Sequence, residues 1–302
     1  MIIEDAIIRP EEKMIFRLRS LYGSYGFTSY KMNKFEEYDL YAGNKDFLVS
    51  PGIITFTESN GRLMALKPDV TLSIAKNTRC GANEVQRLYY NEKVYRSVNG
   101  TFQEITQMGL EALGDLSEEH MVQVLELAEK SLAAISDEYV LSLSHPGLIE
   151  RLLLQTGLPA ADRQRMMDFL AAKAGHEIEA FGRERKVPEP ALKALLKLLE
   201  ADGANRLPEE LTTLCADPEA EEMIRQLRQT MNHLQSDRVR LDFSIPANLR
   251  YYSGIVFSGY VKGIPKAILS GGRYDPLLAR LGKRGKAIGF AIYLDLLEEM
   301  RR

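Results

Sequence analysis

The chain has 302 residues, 45% of them hydrophobic, with a formal charge of −3 and a pI near 6.0. A chain this long buries roughly 75% of the surface its unfolded form exposes, so it needs no disulfide or metal staple. Its two cysteines, Cys80 and Cys215, form no C-x-x-C pair and suit a reduced, cytoplasmic setting; without a basic face or stripe, nucleic-acid binding is not expected.

The N-terminus lacks a basic segment followed by an apolar run, and no stretch of about 18 apolar residues follows anywhere, so neither export nor a membrane span is expected. Pro10 with Glu11 and Glu12 predicts a helix start, proline in the first turn and acids at the positive end of the dipole. Met14, Ile15, Leu18, Leu21, Tyr22 and Tyr25 keep helical spacing up to Gly23 and Gly26.

From Arg87 to Glu111 the pattern predicts two antiparallel strands joined by a polar loop at Asn99-Gly100, where a glycosylation sequon is read simply as a turn. On the second strand Phe102, Thr106, Met108 and Leu110 alternate with Gln103, Ile105, Gln107, Gly109 and Glu111. The second set makes either a polar pocket wall or a solvated outer face, and alternation alone fits both. Arg96 ends the first strand with a planar guanidinium suited to two-point contact with a carboxylate or phosphate.

Asp115 and Glu118 predict a capping box ahead of an apolar stripe at Met121, Val122, Leu125, Ala128, Leu132 and Ile135. Between 145 and 238 leucine and alanine recur at helical spacing, punctuated by Pro146, Pro159, Pro188, Pro190, Pro208 and Pro218; this predicts an α-helical insertion of five or six short helices. Strand patterns return at Val239–Ile245 and Tyr251–Tyr260, and Gly271-Gly272 allows a bulge or a close backbone approach. The four histidines, His120, His145, His176 and His233, are dispersed, and no Gly-rich phosphate loop precedes a helix; no metal or cofactor is expected.

Several of these segments resemble histidyl-tRNA synthetase, a class II aminoacyl-tRNA synthetase. Residues 87–111 resemble its motif 2, with Tyr95-Arg96 and then Gln107–Glu111 (QMGLE); Leu66–Thr71 (LKPDVT) is similar to its LRPEGT block. Leu249–Gly254 (LRYYSG) is similar to LDYYTG, Gly271–Gly282 to GGRYDGL, and Ala287–Leu297 to motif 3, while the N-terminal helix and the residues after it resemble motif 1, the dimerisation element. The resemblance implies an α+β fold: an antiparallel sheet of about six strands flanked by helices, formed by 1–144 and 239–302, with the helical insertion at 145–238. The family's anticodon-binding domain, which needs roughly another 100 residues, is expected to be missing.

The resemblance also implies a histidine pocket formed by Asp69, Thr71, Arg96, Gln107, Glu111, Tyr252 and Tyr274. Asp69, Thr71 and Gln107 would surround the ammonium, Arg96 would take the carboxylate, and Glu111 with the tyrosines the imidazole. Two arginines that serve ATP in the family align with Ala247 and Leu296, and the motif 2 loop has Ser97-Val98 and Gln103 in place of a glutamate and an arginine. A pocket that keeps amino-acid contacts and loses nucleotide clamps resembles the ATP phosphoribosyltransferase regulatory subunit. That resemblance implies a non-catalytic partner of a short-form catalytic subunit, a homodimer within a hetero-oligomer, with histidine as effector. A truncated amino-acid-activating enzyme is the alternative.

Overall fold

The structure is a computed structural model; it describes residues 8–45, 48, 52–79, 81, 83–98, 100–215, 217–245 and 251–299. The chain forms two compact units, one of residues up to Tyr139 and from Tyr260 onward, the other from Val140 to Gly259.

In the first unit, α1 (Pro10–Ser24) begins as its sequence dictates: Pro10 takes the first turn and the Arg9 amide donates to Glu12 Oε2 at 2.9 Å. The helix runs past Gly23 to Ser24, burying Leu18 and Tyr22. After it come β1 (Thr28–Ser29), β2 (Phe35–Glu37), α2 (Tyr38–Ala42), β3 (Thr55–Thr57), β4 (Leu63–Leu66) and α3 (Thr71–Asn77). A long hairpin follows, β5 (Val85–Val98) and β6 (Thr101–Gly114), with Val98 opposite Thr101 across a two-residue turn. α4 (Glu118–Ile135) is then capped by Ser117, whose hydroxyl accepts from the His120 amide. The expected cap, Asp115, is displaced because its own amide is drawn to Glu84 O at 2.9 Å, just beyond the end of β6. Tyr22 and Ser131 share a buried hydrogen bond of 3.0 Å between α1 and α4.

The second unit opens near β7 (Tyr139–Ser144), continues through α5 (Pro146–Leu154), α6 (Ala160–Ala171), α7 (Gly175–Glu184), α8 (Glu189–Glu200), α9 (Glu210–Leu214) and α10 (Pro218–Leu234), and closes with β8 (Val239–Leu241) and β9 (Val256–Val261). Several of the prolines that punctuate the sequence open these helices: Pro146 and Pro218 lie in first turns, and Pro159 and Pro188 are N-caps. Two strands are shorter than their patterns suggest. β8 stops at Leu241 because the Ser244 amide and hydroxyl both turn back onto Asp242 Oδ1, at 3.0 and 2.6 Å. β9 starts at Val256, so Tyr251 and Tyr252 precede it. β7 and β8 pair in parallel.

The chain returns to the first unit with β10 (Leu269–Arg273), α11 (Asp275–Arg280), β11 (Lys286–Tyr293) and α12 (Leu294–Glu299). There the strand order is β1-β5-β6-β11-β10, with β1 parallel to β5 and the other neighbours antiparallel. Gly271 and Gly272 pair in regular register with Phe290 and Gly289, so the permitted bulge is not formed. A separate three-stranded sheet, β2-β4-β3, has no counterpart in the sequence expectations. Its strands are three or four residues long, too short to show an alternation. No helix among the described residues is long and apolar enough to cross a membrane.

Candidate functional site: a polar pocket on a floor of small residues

β6 lies between β5 and β11, and directly opposite residues share a face, so the registers define one surface of the first unit. Tyr90, Gly109, Ala291 and Ser270 form one row across it; Leu88, Glu111, Gly289 and Gly272 form the next; Glu92, Gln107 and Tyr293 form a third. Small side chains in the middle make room for longer polar and aromatic ones: the Tyr90 hydroxyl lies over Gly109 and the Glu111 carboxylate over Gly289. Close packing fixes the glycines: a Cβ on Gly289 would stand 1.6 Å from Glu111 Oε2, and one on Gly109 would stand 2.1 Å from Phe290 O.

Glu111 is the centre of this surface. Its carboxylate accepts from Thr71 Oγ1 and from the Tyr274 hydroxyl, each at 2.6 Å. Thr71 is delivered by the first turn of α3, and Tyr274 by the turn between β10 and α11. That turn is locked from both sides. Arg273 pairs with Asp275 at 2.6 Å, Asp275 Oδ1 accepts from the Ala287 amide at 2.9 Å, and the Tyr274 amide donates to Ala287 O at 2.8 Å. Burial pushes the Glu111 carboxyl up to about 8, against the opposing effect of its two hydrogen bonds. A carboxyl shifted this way holds its proton to higher pH than an exposed glutamate does.

Gln107 is buried two rows along the same strand, beyond Gly109. Asp69 and Arg96 come from the segment before α3 and from β5. Asp69 Oδ1 accepts from the Leu72 amide at 2.8 Å, and burial raises its pKa while Arg96 opposes the rise. Arg96 Nε donates to Pro68 O at 2.9 Å; the buried guanidinium forms no ion pair with a described residue. Asp69, Thr71, Arg96, Gln107, Glu111 and Tyr274 are thus all residues of one unit, and Thr71, Glu111 and Tyr274 are in direct contact. Tyr252 belongs to the second unit, where its ring packs edge-on against Tyr251 with centroids 4.5 Å apart.

The alternative of a solvated face holds for part of β6 only. Gln103 is exposed, whereas Gln107 and Glu111 are buried. Sequence reasoning missed Tyr90 and Tyr293, both raised in pKa by burial, and the Lys67–Glu92 ion pair, in which Lys67 is almost wholly buried. The period-two run Gly289, Ala291, Tyr293 was the available signal for the floor and its aromatic edge. Ala247 lies outside the described residues; Leu296 is a half-buried leucine on α12.

Chemically, the pocket offers hydroxyl, carboxyl and amide groups around a short apolar floor and a guanidinium near one side, a set suited to a small zwitterion carrying a polar ring. The histidyl-tRNA synthetase family model matches residues 5–297, and the chain belongs to that family, with its class II catalytic-core fold. An ATP phosphoribosyltransferase regulatory subunit from Thermus thermophilus is 30% identical over 299 residues, 97% of this chain and 80% of that one. Within the family the chain belongs with the ATP phosphoribosyltransferase regulatory subunits. A solved ATP phosphoribosyltransferase regulatory subunit/histidyl-tRNA synthetase from Bacillus halodurans shares the fold with a TM-score of 0.79 at 22% identity, over 96% of this chain and 78% of that one. So does a chain of the ATP phosphoribosyl transferase complex from Thermotoga maritima, with a TM-score of 0.71 at 20% identity over 95% of this chain and 98% of that one.

Proposed function

We propose that this chain is a non-catalytic, cytoplasmic subunit that activates a separate short-form ATP phosphoribosyltransferase in the first step of histidine biosynthesis and passes on inhibition by histidine. The observation that carries the reading is the buried Thr71–Glu111–Tyr274 contact, in a chain whose counterparts of the ATP-clamping arginines are Ala247 and Leu296. Adenylation concentrates charge on phosphate oxygens, and each cation that meets that charge is worth about 3 kcal/mol of transition-state stabilisation. Losing two of them while keeping the amino-acid contacts leaves a receptor for histidine. Tyr252 completes the proposed ligand set, Asp69, Thr71, Arg96, Gln107, Glu111, Tyr252 and Tyr274, and the helical stretch 145–238 is taken as an insertion into the core.

Self-association fits the same reading. Phe35 and Phe56, exposed on the three-stranded sheet with ring centroids 5.3 Å apart, offer an apolar surface close in sequence to the motif 1-like region.

Reconstitution tests the proposal. Phosphoribosyl transfer by the catalytic chain should require this one and fall as histidine is added, while histidine-dependent exchange of pyrophosphate into ATP should stay at the level of a no-protein control. Exchange above that control would favour the second reading, an amino-acid-activating enzyme like the synthetases for which the family is named.

A further inference from the structure

A second cavity, of about 660 Å³, lies in the first unit where the C-terminal end of α3, the end of β6 and the loop between α11 and β11 meet. None of the seven proposed histidine-pocket residues lines it. Lys283 builds the wall. Its ammonium donates to Ala75 O, Lys76 O and Thr78 O at 2.5 to 2.6 Å, tying the α11–β11 loop to the carbonyl end of α3 and placing a cation at the negative end of that helix.

Arg79 and Arg284 line the same cavity, and neither forms an ion pair with a described residue. Thr78 contributes to the wall through its other atoms, since its hydroxyl oxygen is sealed from solvent. Asp115, an acceptor without an ion-pair partner among the described residues, and the apolar Leu113 and Leu278 also line the cavity. The volume falls within the range of small-molecule sites.

We propose that this cavity binds a phosphorylated sugar: guanidiniums from Arg79 and Arg284 on the phosphate, and Asp115 accepting from sugar hydroxyls. Two guanidiniums call for a multiply charged oxyanion, since their planar forks match its oxygens. A lone inorganic anion leaves both the carboxylate and the apolar lining of the cavity without a role. The site is distinct from the proposed histidine pocket and does not depend on it.

The experiment is calorimetric titration of the full chain with ribose 5-phosphate, with ribose and inorganic phosphate as parallel probes and histidine as a control for the other pocket. Ribose 5-phosphate should bind saturably at one site and more tightly than either part alone. Arg79→Gln and Arg284→Gln should each weaken it about tenfold or more, the usual effect of losing a charged hydrogen bond. Both residues are exposed, so folding should be unaffected. Absence of saturable binding, unchanged affinity in both arginine variants, or phosphate binding as tightly as ribose 5-phosphate would each overturn the proposal.

Discussion

The two ends of β6 face different surroundings, although they belong to one strand. From Thr101 to Glu104 every residue is exposed; from Gln107 to Gly114 every residue is buried. The registers explain the change: β11 pairs with β6 only from Gln107 to Gly114, whereas Thr101 to Thr106 pair with β5 alone. A residue held between two neighbours and covered on both faces has its position set by the whole sheet, and substitution there disturbs several contacts at once. At the tip a side chain answers mostly to solvent. Of the proposed amino-acid contacts, Gln107 and Glu111 fall on the buried half of β6, while Arg96 on β5 lies opposite Gln103, beside the positions Ser97-Val98 and Gln103 that differ from the family's nucleotide contacts. Nucleotide chemistry can be dismantled at the tip while the pocket at the base stays intact.

The largest effect that tests this contrast is expected from Gly289→Ala. The added methyl would lie 1.6 Å from Glu111 Oε2 and 2.5 Å from Leu110 O. The carboxylate can swing away only by giving up Thr71 and Tyr274, and the Leu110 carbonyl is held in the sheet. Destabilisation of about 3 kcal/mol, the upper end for overpacking, should show in urea unfolding, with loss of histidine binding in titration. An unchanged midpoint together with unchanged affinity would mean that the base of β6 is not the rigid half.

Glu111→Gln comes next. It keeps the shape and removes the ionisable group, and histidine affinity should fall by about 1 to 3 kcal/mol, with weaker inhibition of the reconstituted complex. The same variant separates the pocket's electrostatics from its geometry. Because the folded pKa, about 8, lies above the reference value of 4.5, the favourable contribution of Glu111 to stability is complete below 4.5 and is lost as pH rises through about 8. Glutamine removes that loss. Between those limits the unfolding free energy of the variant should decline less steeply than that of the wild type, with some slope remaining from Asp69, which burial also raises. Parallel slopes would show that Glu111 is already charged in the folded state.

Tyr274→Phe is a finer probe. It deletes one 2.6 Å hydrogen bond to Glu111 and should cost about 1 kcal/mol. That bond lowers the Glu111 pKa, so the pH-linked loss of stability should move to higher pH in the variant. A shift to lower pH would assign the bond the opposite role.

Legibility in the sequence followed the same division. The hairpin, α1 and the helical stretch were readable because each is long enough to show its period. Glu111, Gln107, Thr71 and Tyr274 were readable only through family motifs, since alternation by itself leaned toward a solvated face and left the pocket wall as the other reading. What separates the two is β11, which joins β6 after 171 intervening residues and covers Gln107 while leaving Gln103 in water. No local pattern contains that information. Ser117 was missed as the α4 cap for a related reason: Asp115 is the better capping residue by type, but the pairing of its amide with Glu84 settles the matter. The three-stranded sheet was missed because its strands are too short to display a pattern.

The smallest effect is expected at the tip. Phe102 is 73% exposed and belongs to the part of β6 that has only one neighbouring strand. Phe102→Ser should change the unfolding free energy by no more than about 0.5 kcal/mol, since it removes little buried apolar area, and should leave histidine affinity unchanged. An exposed aromatic with no packing role in this chain has a use only if another surface covers it. The informative measurement is therefore activation of the catalytic chain, made beside denaturant unfolding and histidine titration. Lost activation with intact stability and histidine binding would mark the tip as a docking surface, and would show that the half of the strand no longer needed for nucleotide contacts has been turned toward the partner. Activation equal to wild type, with the other two measurements unchanged, would leave the tip as plain solvent-facing hairpin and confine function to the base.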